Sequence, residues 1–303
     1  MSPTRSRFHP QKGRHVMERV VQSILFLAAV SAIAITVAVV TILVVESMAF
    51  FRHVSIWDFL TDTQWTPLFY EPRYGILPLV SATMVVTSIG LLVAIPLGTL
   101  VAIYLGEFAP HKVRETAKPA LEMLSGVPSV VYGYFALLLV TPVLALFIPG
   151  LQGFNMLSAG LVIGVSIVPF VSSMSEDAMR AVPMDIREGS YAMGATRFQT
   201  AWLVVFPAAL SGIIAAYILA MSVALGQTMI VAIAAGQQAN LTLDPTQPAA
   251  TMTAYIAQVS IGDVAHGTLE YQSIFAVGLV LLLMTLALNV LGHYLRRRFR
   301  ENY

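Results

Sequence analysis

The sequence predicts an all-α integral membrane protein, one domain of six transmembrane helices with both termini in the cytoplasm. Three observations carry that expectation. The 303 residues are 57% hydrophobic and only 11% charged. A soluble domain carries about 25% charged residues, so too little polar surface is present to cover a water-facing globule. Six apolar runs are close to or above the roughly 20 residues that cross hydrocarbon. They lie at about 20–48, 76–105, 120–148, 156–174, 201–235 and 273–295. With the N-terminus inside, every Lys and Arg except Arg52 and Arg73 falls in a cytoplasmic segment, as the positive-inside bias requires.

The basic N-terminus, residues 1–19, leads into the first run without a small-residue cleavage site. It reads as a retained span and not as a cleaved signal. The transmembrane domain covers 20–295. Outside residues 49–75 carry Trp57, Trp65, Phe69, Tyr70 and Tyr74, which suits an interfacial aromatic belt. The second run contains Gly90, Pro96 and Gly98, and the third Gly126, Pro128 and Gly133. Such breakers free backbone groups, which is tolerated where a helix lines a cavity. They also ease close helix packing. Pro169 sits near the end of the fourth and shortest run. Residues 236–272 are polar and hold no Lys or Arg. They read as a structured outer loop or as a dock for an external partner. The tail 296–303, in "YLRRRFRENY", reads as a cytoplasmic anchor and not as a nucleic-acid site.

The longest polar interruption lies between the fourth and fifth runs, within 175–200. Its core is "REGSYAMGATRFQTAWLVVFPAAL", Arg187 to Leu210. Pro183 can open a helix, because its missing N–H would be unpaired there anyway. Asp185 and Glu188 fall in the first turns, where the helix dipole favours anions. Gly194 suits a helix-ending residue with positive φ. Thr196 with Gln199 three residues on is a capping box for a second helix, whose course changes at Pro207. The first helix is too short to stand alone in water. Met184, Ile186, Tyr191 and Met193 therefore need a surface, either the other loops of this chain or a cytoplasmic partner.

The spacing in this loop resembles the EAA loop of ABC-importer permeases. Glu188 is followed by the small Gly189 and Ser190, then by Gly194 after three residues. Val204, Phe206 and Pro207 follow after nine more. The resemblance implies that Arg187, Glu188, Gly189, Ser190, Gly194 and Pro207 belong to a helix that docks on a cytoplasmic ATPase. It also implies a MetI-like permease fold. Further pieces resemble the C-type permease of phosphate-specific (Pst) importers. They are "YGILPL" at 74–79, "AIPLGTLVAIYLGEFAP" at 94–110, "LSGVPSVVYGY" at 124–134, "SEDAMRAVP" at 175–183 and "LGQTMIVAIAAG" at 225–236. The sister A-type subunit is the alternative within that system, and a permease for phosphonate, molybdate or sulfate the alternative outside it.

That family usually reads "GRALGETM" in the fifth span. Here Val223 stands for the Arg and Gln227 for the Glu. No Lys or Arg lies in any span core, so the donors expected along a path are neutral: Ser129, Ser222, Gln227 and Thr228. The resemblance implies a second, A-type permease, two ATPase subunits that bind ATP and Mg, an external phosphate-binding protein, and phosphate as cargo. This chain supplies no cofactor of its own. It has no "GxxxxGK[ST]" loop for ATP and no Cys for disulfides, thiolate metal sites or thiol catalysis. No "HExxH" and no paired carboxylates sit at membrane depth. Glu46 and Glu122 lie at span edges and His293 at the inner end of the last span. A transport subunit is expected, not an enzyme.

Overall fold

The computed structural model describes residues 12–67 and 69–298. Most of the basic N-terminus and the end of the Arg-rich tail lie outside them. Every regular element described is helical; one isolated bridge joins Trp65 to Tyr74. The chain runs α1 Lys12–Phe51, α2 Ile56–Thr61, α3 Leu77–Ile103, α4 His111–Ser125, α5 Ser129–Phe135, α6 Thr141–Ala145, α7 Met156–Arg180, α8 Met184–Ala192, α9 Arg197–Gln199, α10 Phe206–Ala208, α11 Leu210–Leu225, α12 Met229–Ala234, α13 Met252–Ile261 and α14 Leu269–Arg298. Wide π turns extend α3 over Tyr104–Phe108, join α5 to α6 over Ala136–Val140 and join α9 to α10 over Thr200–Val205.

Four helices, α1, α3, α7 and α14, are long and apolar enough to cross a membrane unaided. Two bent pairs make up to two further crossings. Here the structure corrects the expected third and fifth runs. The third is not one helix over 120–148. It is the amphipathic α4, which buries none of its side chains, then an 87° bend, then the segment from Ser129 to Ala145. The cause is Gly126-Val127-Pro128. Proline has no N–H to continue the ladder and pushes the residue before it out of the helical region. The fifth run turns by 70° at Ala209, just after Pro207, and α11 stops at Leu225. Residues 226–228 break the backbone before the short α12.

The centre of the bundle is the α3–α7 pair, the most extensively packed helices in the chain. Small residues let their backbones meet. A Cβ on Gly164 would lie 2.6 Å from the Val93 Cβ and 2.8 Å from the Gly90 carbonyl oxygen. Val86, Ile163, Ile167 and Val171 fill the seam, and α11 and α12 close over it with Ala220, Ala224, Ile230 and Val231. Lipid is as apolar as these side chains, so close packing rather than hydrophobic burial holds such a seam.

A second cluster caps one end of the bundle. Phe50, Phe59, Trp65, Tyr74 and Tyr255 meet edge to face, with ring centroids 5.0–6.2 Å apart. Trp65 and Tyr74 are therefore core residues and not members of an interfacial belt. Trp57, Phe69 and Tyr70 remain exposed. Burial, with Glu270 adding to it, pushes the Tyr74 phenol up to about 12. The segment 236–272 is not a simple loop. It folds back through α13, whose Met252 N–H donates to the Thr83 hydroxyl of α3 at 3.0 Å.

Candidate functional site

The opposite end of the bundle holds the short helix α8. Extended Pro183 precedes its first residue, with ψ 145°. Asp185 occupies its first turn, and Glu188 lies exposed on the next. After α8, the Gly194 N–H donates to the Tyr191 carbonyl at 2.9 Å, with Gly194 at φ +84°. Thr196 and Gln199 then form the expected capping box. The Gln199 N–H donates to the Thr196 hydroxyl at 3.3 Å, and the Thr196 N–H to Gln199 Oε1 at 2.9 Å. Ser190 Oγ lies 2.9 Å from Thr200 Oγ1 and pins the helix to the chain that follows it.

The helix divides its side chains between two surfaces. Ile186 packs inward on a cluster of Met179, Val182, Val205, Ala209 and Ile213. Met184, Tyr191 and Met193 point out, Met193 being 89% exposed. Phe198 and Trp202 extend the exposed apolar surface along the next segment. These exposed apolar side chains and exposed Glu188 make this face a candidate interaction surface. Gly189 faces open space, with no atom within 4 Å of a Cβ placed there.

Two buried carboxylates anchor this end. Arg187 donates from Nη1 to both oxygens of Glu107, at 2.7 and 2.8 Å, and from Nη2 to the Met179 carbonyl at 2.8 Å. The side chains are 10% and 4% exposed. Glu107 comes from the π turn that extends α3. Glu176 of α7 is completely buried. It meets Arg114 Nε at 2.8 Å and Lys118 Nζ at 2.7 Å, both from α4, while Lys118 also donates to Asp177 at 2.5 Å. These pairs explain how α4 stays on the bundle without burying an apolar face. Removing one partner of a buried pair strands a charge, at a cost of about 3–5 kcal/mol. From sequence, Arg114 and Lys118 have only the role of inside charges, Arg187 belongs to the docking helix and not to a buried pair, and Glu107 and Glu176 are left without a role. The available signal was a carboxylate at the end of an apolar run, Glu107 alone and Glu176 beside Asp177, with basic residues following.

The expected path residues fall at the two helix breaks and on a seam. Ser129 begins α5, directly after the 87° bend. Gln227 and Thr228 lie in the break between α11 and α12 and are half-buried. The Gln227 carbonyl accepts from Thr253 Oγ1 at 2.6 Å, and Thr228 Oγ1 donates to the Gly226 carbonyl at 3.1 Å. α5 lies on α12 at Gly133, where a Cβ would come 2.9 Å from Ile233. Ser222 is apart from this group. Its hydroxyl lies 3.1 Å from both the Ile218 carbonyl and Asn289 Oδ1 of α14, and its one proton serves either acceptor. Val223 is half-exposed beside it. Among the described residues, no three His, Asp or Glu side chains come together to hold a metal ion.

Near the aromatic cap a cleft of about 360 Å³ opens between the 62–75 segment and the chain after α12. Trp65, Phe69, Gln237, Gln238, Asn240 and Tyr255 line it. Its walls hold no charged side chain.

Comparison with known proteins adds three findings. Residues 94–301 match the family described as binding-protein-dependent transport system inner membrane component. The probable ABC transporter permease protein YqgH of Bacillus subtilis is 35% identical over 98% of this chain and 97% of its own. The phosphate transport system permease protein PstC of Xylella fastidiosa is 31% identical over 80% and 79%. Among solved structures, a bacterial ABC importer of alginate superposes with TM-score 0.65 at 15% identity, over 95% of this chain and 100% of that one. The MetNI methionine transporter does so with TM-score 0.55 at 20% identity, over 75% and 95%. At those identities the likeness speaks for the fold.

Proposed function

We propose that this chain, which belongs to the family of binding-protein-dependent transport system inner membrane components and is a multi-pass permease of an ABC importer in the bacterial plasma membrane, moves inorganic phosphate inward. The observation that carries the cargo is the likeness to PstC proteins across four fifths of the chain. The fold does not carry it, since permeases of methionine and alginate importers share that fold. We place the chain as the C-type subunit, beside an A-type permease, two ATPase subunits that bind ATP and Mg, and an external phosphate-binding protein.

In this reading the basic end of the bundle faces the cytoplasm, the chain crosses six times, and both termini lie inside. α8 is the coupling helix. Met184, Tyr191 and Met193 are the side chains that enter the ATPase, and Glu188 and Gly189 sit beside them on the same exposed helix. The neutral cleft at the other end faces the binding protein.

Phosphate near pH 7 is a strongly hydrated anion. An ion stripped of water in hydrocarbon loses tens of kcal/mol, so the path must offer donors in place of water. Ser129, Gln227 and Thr228 lie where the helices are broken and backbone groups are free. Val223 and Gln227 leave this stretch without an ion pair. Gln227 can still donate to an oxyanion, and the cationic attraction would come from the partner permease. A different oxyanion, such as phosphonate, molybdate or sulfate, is the second reading, and the neutral pair Val223 and Gln227 is what favours it.

The test is uptake of labelled phosphate by proteoliposomes that hold the chain with its co-purified partners and binding protein. Accumulation that requires ATP supports phosphate. A complex that hydrolyses ATP, ignores phosphate and accumulates another oxyanion overturns the cargo and keeps the importer.

A further inference from the structure

ATP-driven movement at α8 must reach the helices that form the path. The covalent routes from α8 lead back to α7, through Ala181, Val182 and Pro183, and forward to α11, through Gly194 and the capping box; neither leads directly to α3. A further route exists in the side chains. The Arg187 guanidinium grips the Glu107 carboxylate with both oxygens and the Met179 carbonyl at once. It therefore ties α8 to the end of α3 and to the end of α7 with one rigid planar group. Nη1 holds the carboxylate and Nη2 the carbonyl, so one planar group fixes the positions of two partners at once, which the single nitrogen of an ammonium does less rigidly. The pair is almost shut off from water, so bulk dielectric and salt weaken it little. Beyond it, α3 and α7 are locked by glycines. Gly98 sits against Val171, and Gly164 against Val93. A pull on Glu107 is thus a pull on the α3–α7 unit at the centre of the bundle.

We infer that the Arg187–Glu107 pair is the strut that carries the motion of α8 into α3. Both are positioning residues and neither touches cargo or nucleotide. The inference rests on the reading of α8 as the ATPase-docking helix. Without the strut, the ATPase still binds α8 and still turns over, but α3 no longer follows.

The chain contains no Cys, so engineered thiols can be placed singly. Nitroxides at Leu92→Cys on α3 and Leu138→Cys after α5 sit on exposed side chains on different helices, outside the pair. Their separation would be measured in the reconstituted complex, with and without ATP and vanadate. The unmodified strut should give a nucleotide-dependent shift. Glu107→Gln, nearly the same shape, should lose most of the shift and lower transport per ATP by about tenfold or more, while ATP hydrolysis and ATPase co-purification stay within about twofold. Arg187→Glu with Glu107→Arg should regain part of both. A full shift and full transport per ATP in Glu107→Gln would overturn the strut. So would loss of ATPase co-purification in that variant, since the pair would then only shape the docking surface. Absence of any shift in the unsubstituted complex would also overturn it. The docking reading is tested separately. Met193→Cys alkylated with a benzophenone maleimide should photo-cross-link to the ATPase, and no cross-link would overturn that reading whatever the nitroxides report.

Discussion

Gly194 and Gly189 show how two glycines five residues apart answer to different constraints. Nothing lies within 4 Å of a Cβ at either position. Gly194 has φ +84°, where a Cβ collides with its own backbone at a cost of about 1–2 kcal/mol. Gly189 is an ordinary helical residue. We expect Gly194→Ala to lower uptake by misdirecting the chain into the capping box, with membrane insertion unchanged. Gly189→Ala should leave thermal stability in detergent the same or slightly higher, because Ala favours a helix by about 1 kcal/mol over Gly. Gly189→Trp should also leave the isolated chain stable, yet block co-purification of the ATPase if α8 docks there. A Gly189→Trp complex that assembles normally would place the contact elsewhere. Thr196→Ala removes one arm of the capping box and should cost about 1 kcal/mol locally. At the proposed path, Gln227→Ala should lower uptake without loosening the ATPase. The Gln227 carbonyl keeps its bond from Thr253 in that variant, so an effect on transport would belong to the side chain. Unchanged uptake would leave Gln227 as packing.

At the scale of the elements, the sequence carries turns well and long-range pairs poorly. The order of α8, Gly194, capping box and Pro207 was legible, because each device acts within a few residues. The break at Gly126 to Pro128 was visible as a cluster of breakers, but its consequence was not. A run of apolar residues from Leu121 onward continues the helical pattern across it, so α4 and α5 read as one span. Gly126 to Pro128 breaks the helix, and Glu176, 58 residues from Lys118, then holds the separated α4 against α7. Trp65 and Tyr74 were misplaced for the same reason. Aromatic residues near a membrane edge suit both a belt and a plug, and α13 decides by bringing Tyr255 to Trp65 at 5.0 Å. The α3–α7 seam gives the prediction proper to this scale. Gly164→Leu has to enter space held by Val93 and the Gly90 carbonyl, and overpacking of that kind costs about 1–3 kcal/mol. Its melting temperature in detergent should fall, whereas Gly153→Leu, with open surroundings, should match the unsubstituted protein. Equal melting of the two would mean that the seam is looser than the described contacts.

For the whole molecule, charge sorts the two ends. Arg114, Lys118, Arg180 and Arg187 gather at the α8 end, and the cleft at the other end holds no Lys or Arg among its lining residues. This asymmetry is a property of the full chain, and no single loop fixes it. Two buried carboxylates sit among the cations at the α8 end, so its excess charge is smaller than a count of Lys and Arg suggests. Topogenic signals act before those pairs form, however, and Asp and Glu contribute little to them. The orientation should therefore follow the cations alone. Leu243 and Lys112 test it, one at each end and both exposed. In intact spheroplasts, a membrane-impermeant maleimide should label Leu243→Cys at once and Lys112→Cys only after lysis. The native chain provides a clean background because it has no Cys. The reverse pattern would put α8 outside, away from any cytoplasmic ATPase, and would overturn the coupling reading together with the inward direction of transport.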